Sequence, residues 1–222
     1  MSGNEQNTNT NTNPVIKLVI GWVLFIVALL VFIFVIKPMN KKDNGLDNIK
    51  VEKNEESSTE GVSIVPMETD AYPELNQFIT TFLNATTACD QQALQSMVTD
   101  PAVYDDMSTL QSRAKFLIEY NNIKCYTKKG PADNTFIVFV VTNTVLKDIN
   151  TAPMDFMTFY VIQNESGYVI NNGALSEEEN NYIATIKKDA DIQEIMKKIS
   201  VYNDQAVEND EGLKAFYDML GK

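Results

Sequence analysis

Nineteen consecutive residues without a charge, Leu18 to Ile36 (LVIGWVLFIVALLVFIFVI), constrain this chain more than any other feature. At 1.5 Å per residue such a run matches the ~30 Å of hydrocarbon in a bilayer. Backbone polar groups inside lipid must be satisfied within the segment, so a helix is the form expected. Lys17 and Lys37 bracket the run and Trp22 lies near one end, as at a membrane interface. No small-x-small cleavage site follows; the chain continues Lys37-Pro38-Met39-Asn40-Lys41-Lys42, without a lipobox-like cysteine. Residues 15–37 are therefore read as a retained transmembrane helix, with the lipid bilayer as its partner, and residues 1–14 as a disordered polar tail. Topology is divided. Lys17 and the α-amino group face Lys37, Lys41, Lys42 and Lys50 across the run, which read literally puts the large domain in the cytoplasm. Long domains nevertheless translocate largely regardless of charge, and a short inner tail is the common arrangement.

Eighteen Lys and Arg stand against thirty Asp and Glu, with no His, for a net charge of -12. Such acidity disfavours nucleic acid, which needs a basic footprint, and disfavours lying flat on anionic lipid. Without His, no Ser-His or Cys-His nucleophile, imidazole base or His-ligated metal can be built from this chain. The two cysteines, Cys89 and Cys125, are too few for a structural zinc site and too far apart for a redox CxxC pair. Two readings stay open for them: a disulfide in an oxidising compartment, or burial as small apolar residues. No metal and no cofactor is expected.

Residues 38–70 are charged and Ser/Glu-rich without periodicity, and read as a linker. An α+β domain is expected from about residue 71. Pro73 suits a first helical turn, with Leu75, Phe78, Ile79, Phe82 and Leu83 at helical spacing. Asp90 caps a second short helix, and a third is expected over Asp106–Tyr120. The period then becomes two. Strands are expected over Asn122–Lys128, Phe136–Leu146, Met154–Gln163 and Tyr168–Ile170, with turns at Gly130-Pro131 and Asn164–Gly167. Ser176 followed by three glutamates starts a helical stretch, 176–222, with helices over Glu177–Lys188 and Asp191–Gln205 and a last one carrying Leu213, Phe216, Tyr217 and Leu220.

Helices followed by an antiparallel meander over about 72–173 resemble the NTF2-like superfamily, in which a curved sheet forms a cone around the N-terminal helices. Asn122–Gly130 (NIKCYTKKG), with the hairpin strands Phe136–Leu146 and Met154–Gln163, is also similar to uncharacterised membrane-anchored proteins of low-GC Gram-positive bacteria. The resemblance implies a cone over 71–175 carrying an added helical extension, 176–222, outside the cytoplasmic membrane. Open edges of such a cone permit a homodimer. The superfamily hosts isomerases, dehydratases, transport adaptors and envelope assembly proteins, so the fold alone does not choose among them.

Enzymes of that superfamily pair a carboxylate with tyrosine or histidine in the cone. Asp155 is the best carboxylate here, with Tyr104, Tyr126 and Tyr160 as ligand-pocket candidates beside it. Alternation puts Asp155 on the face of Met157, Phe159 and Val161, opposite Met154, Phe156 and Tyr160. Its place beside Pro153 at a strand start favours a solvated charge, and the tyrosines are more simply core residues with hydroxyls at the rim. Asp105-Asp106 near Asp100 lacks the ligand alternation and glycine of a calcium loop and reads as caps and turns. Lys128-Lys129 and Lys187-Lys188-Lys197-Lys198 read as solvated faces. No phosphate loop, nucleophile elbow or paired-cysteine metal motif occurs. The expectation is an extracytoplasmic binding or assembly module for a protein partner or small ligand, without catalysis. A cytoplasmic membrane-tethered adaptor is the alternative, and an isomerase or hydro-lyase using a cone carboxylate comes third.

Overall fold

A computed structural model describes Leu46 and residues 65–220; the expected tail, the expected transmembrane helix and most of the expected linker lie outside the described residues. Among the described residues no helix is long and apolar enough to cross a membrane. The described chain is α+β: five antiparallel strands in sequential order with helices on both faces. The strands are β1 (Glu68–Thr69), β2 (Leu117–Lys129), β3 (Thr135–Leu146), β4 (Met154–Asn164) and β5 (Gly167–Ile170).

β3 explains the layering. Every residue from Thr135 to Thr144 is buried, which a sheet with one wet face would not allow. Phe136, Val138 and Val140 enter one cluster; Ile137, Phe139 and Val141 enter the other. Over the first face, called inner here, lie α1 (Pro73–Ala88), α2 (Gln91–Ser96) and α3 (Ser108–Arg113), with a 3-10 turn at Pro101–Tyr104. In α1, Leu75, Ile79, Phe82 and Leu83 recur at three- and four-residue spacing and are buried against that face. Each fully buried side chain of this size contributes about 1.5–3 kcal/mol. The helix ends where Cys89 turns left-handed (φ 52°), with Cys89 N–H donating to Thr86 O and Asp90 N–H to Ala85 O, a Schellman closure.

The outer face is covered by α4 (Glu177–Ile186) and α5 (Ala190–Asn209), which bury Ile186, Ile192, Ile195 and Ile199. Ser176 and Glu179 form the reciprocal capping box that the sequence signals. Asn203 of α5 grips the start of β4, accepting from Met154 N–H and donating to Met154 O, both at 2.8 Å. α6 (Glu211–Met219) starts at Asp210, whose Oδ1 accepts from Leu213 N–H, and Leu213 packs with Leu146 and Ala206. The C-terminal helices are thus one of the layers that bury the sheet.

Two boundaries differ from expectation. The third helix ends at Arg113, and Leu117–Tyr120, expected to be helical, opens β2. Pairing with β3 prevails over the apparent helical spacing: Leu117 faces Leu146 and Tyr120 faces Thr144, with register shifts at Leu117/Glu119 and Asn121/Lys124. Those irregularities break the alternation from which a strand is read. The other difference is at the start. Glu68–Thr69, expected as linker, pair with Thr127 and Tyr126, and Asp70 exchanges two hydrogen bonds of 2.9 Å with the Cys125 backbone.

Candidate functional site

At one end of the inner face, past the apolar cluster, side chains from five elements converge. β4 begins at Met154, so the ladder puts Asp155 opposite Thr142 and on the inner face, as alternation requires. Its Oδ2 accepts from Thr144 Oγ1 at 2.7 Å, and the residue as a whole is exposed. Tyr120, opposite Thr144, lies within electrostatic reach: its phenol pKa is raised first by burial, then by the Asp155 charge, and partly lowered by Arg113. Tyr217 of α6 is raised by burial and by the same carboxylate. Tyr104, in the 3-10 turn, is raised by burial and lowered by Arg113, which sits half-buried at the end of α3. The order is Tyr104, Arg113, Tyr120, Asp155, Tyr217.

An apolar surface adjoins this row. Among the described residues the exposed large hydrophobic side chains are Val103, Phe116, Ile118 and Met219; Phe116 and Ile118 flank the start of β2 and Met219 ends α6. Phe116 and Phe216 rings lie 5.9 Å apart, and Phe216 stands 6.2 Å from Tyr217, so the aromatic surface runs into the polar row. Chemically the end offers neutral phenols, one carboxylate and one guanidinium beside greasy anchors. That combination suits recognition of a peptide or small molecule with apolar and polar parts. A carboxylate acting as base is tuned by an apolar cavity; Asp155 is an exposed residue that accepts from Thr144.

Of the expected site residues, the fold brings Asp155 and Tyr104 to this end. Tyr126 and Tyr160 are not brought there: both are buried in the outer cluster, across the sheet from Asp155. Cys89 and Cys125 are both free thiols here; Cys125 is buried in the inner cluster and Cys89 packs against that cluster. Burial, aided by Asp70, pushes the Cys125 thiol up to about 12. The acidic residues act as caps and turn ligands: Asp100 accepts from Ala102 N–H, Asp106 from Ser108 N–H, and Asp105 from Gln95. Backbone donation by Ser108 holds Asp106 below the usual carboxylate range. Among the described residues no group of three or more His, Cys, Asp or Glu is placed to hold a metal.

Sequence reasoning missed Arg113, Tyr120 and Tyr217, since a helix through Tyr120 points it elsewhere and α6 gave no sign of reaching the inner face. It also misplaced Lys128. Read as a solvated charge, Lys128 is fully buried on the outer face, with Nζ donating to Asp189 Oδ2 and Asp191 Oδ2 at 2.9 Å and to Val65 O at 2.6 Å. Three acceptors match the three ammonium protons, which is how a buried lysine avoids an unpaid desolvation cost. Lys129, the next residue, places its ammonium 4.4 Å from the Phe136 ring centroid.

No family model, curated protein or solved structure matches this chain.

Proposed function

We propose that this chain is a single-pass, membrane-anchored binding or assembly module whose NTF2-like domain lies outside the cytoplasmic membrane and contacts a protein partner or small ligand through the end formed by β2 and α6. The observation that carries the reading is exposed Phe116, joined through Phe216 to Tyr217 and so to Asp155, with exposed Ile118 on the same strand and exposed Met219 on the same helix. The charge-free run Leu18–Ile36 supports the anchor, and the order of helices before an antiparallel meander supports the NTF2-like assignment. In that assignment the inner face is the cone's interior, and α1 fills it with Leu75, Ile79, Phe82 and Leu83.

A cytoplasmic tethered adaptor is the second reading, favoured by the two free thiols and by Lys37, Lys41, Lys42 and Lys50 after the apolar run. Parallel fusions of an externally active and a cytoplasmically active reporter to Lys222 separate the two. External activity alone supports the proposal, and cytoplasmic activity alone overturns it in favour of the adaptor. A photo-crosslinker at Met219, compared with one at exposed Asn181, tests the contact surface in cells. Discrete adducts at Met219 that vanish in Phe116→Asp support it; equal adducts at both positions sink it.

A further inference from the structure

Leu46 lies only nine residues beyond Lys37, yet it is 6% exposed and belongs to the outer cluster. Val65 and Met67 pack against the same cluster, and Val65 O accepts from buried Lys128. The outer layer therefore holds the chain at two places, Leu46 and the run-in to β1, in a stretch whose composition reads as a free tether.

Resting on the anchored-module reading above, we propose that docking of Leu46 apposes the domain to the bilayer, so that its partners are proteins lying at the membrane surface. Covalent geometry sets the scale. A tether from Lys37 to Val65 spans at most about 95 Å, whereas one from Lys37 to Leu46 spans at most about 30 Å. For ideal coils of those two lengths the root-mean-square spans would be about 30 Å and about 17 Å. A domain held by the shorter span cannot survey the space beyond a nearby membrane complex, and its effective concentration against a neighbour in the same membrane rises accordingly. Leu46 is a suitable clasp because docking takes its side chain out of water, whereas closing the loop behind it costs an entropy that grows only slowly with length.

The test uses the full chain reconstituted in vesicles carrying headgroup-labelled acceptor lipid, with a donor dye on Asp133→Cys in a Cys89→Ala background. A Gly-Ser insertion of about twelve residues between Lys42 and Asp43 is expected to lower energy transfer to the bilayer at least about twofold. The same insertion between Glu55 and Glu56, beyond the clasp, is expected to leave transfer unchanged. In Leu46→Asp, the second insertion becomes as effective as the first. Equal effects of the two insertions with Leu46 intact overturn the clasp while leaving the anchor standing. Failure of the chain to float with vesicles overturns the anchor itself, and this inference with it.

Discussion

Lys128 Nζ and Asp189 Oδ2 meet 2.9 Å apart with side-chain exposures of 0% and 3%, joining β2 to the N-terminus of α5 across the outer core. Asp191, 21% exposed, makes the second ion pair. Removing one member of a buried pair strands the other charge. Lys128→Ala is expected to cost about 3–5 kcal/mol in urea unfolding, whereas Lys128→Met combined with Asp189→Leu recovers most of the loss. Equal stability of wild type and Lys128→Ala would show that the pair is not closed in solution.

Alkaline pH is expected to weaken the fold. The Cys125 thiol rises from 9.0 to about 12 through burial, and Tyr72 reaches about 12 through its hydrogen bond to Glu68 and partial burial. Each group keeps its proton in the folded state while the unfolded chain has already lost it. This contribution is therefore complete below about pH 9 and declines as pH climbs towards 12. Denaturant midpoints should be level up to about pH 9 and fall above it, the first part of the fall being absent in Cys125→Ala. At pH 8, Cys125 should react with a thiol reagent about a thousandfold more slowly than an exposed cysteine, and at the ordinary rate once unfolded.

Gly130 has no space for a side chain. A Cβ there would stand 2.1 Å from Thr135 Oγ1 and 2.8 Å from Thr135 Cβ. The threonine cannot swing away cheaply, because its hydroxyl donates to Ala132 O at 2.6 Å and accepts from Ala132 N–H at 3.2 Å. Gly130→Ala is expected to destabilise by about 1–3 kcal/mol, read from thermal or urea unfolding, and Thr135→Ser to leave the clash largely in place.

The Asp155 charge raises two phenols at once, after burial has raised them already. Asp155→Asn should therefore move the latest part of the ultraviolet tyrosine titration to lower pH, and Arg113→Gln should move Tyr104 and Tyr120 the other way. An unchanged titration in Asp155→Asn would dissolve the polar row on which the proposed contact surface rests.

Much of the fold was legible because the residues that make it obey simple periods. The α1 stripe, the Asp90 and Ser176 caps, and the apolar density of Phe136–Leu146 each announce their element. What escaped did so for physical reasons. Two register irregularities hide the first half of β2, and Asn122 takes a positive φ of 51°, which no periodic pattern encodes. Lys128 looks like any surface lysine until Asp189 and Asp191, 61 and 63 residues further along the chain, are folded over it. At the end of the inner face where the candidate site lies, Asp155's face followed from alternation alone, and the same parity already separated it from Tyr160. Tyr217 depended on where α6 lands, a tertiary fact.

The two-sided burial of β3 also bears on how the chain comes off the ribosome. Ile137, Phe139 and Val141 are synthesised well before Ile186, Ile192, Ile195 and Ile199, which cover them. For that interval the nascent sheet presents a bare aliphatic face and can complete itself only when the final helices arrive. Shortening the gene at its 3′ end would therefore yield a chain prone to aggregation, however intact its inner layer.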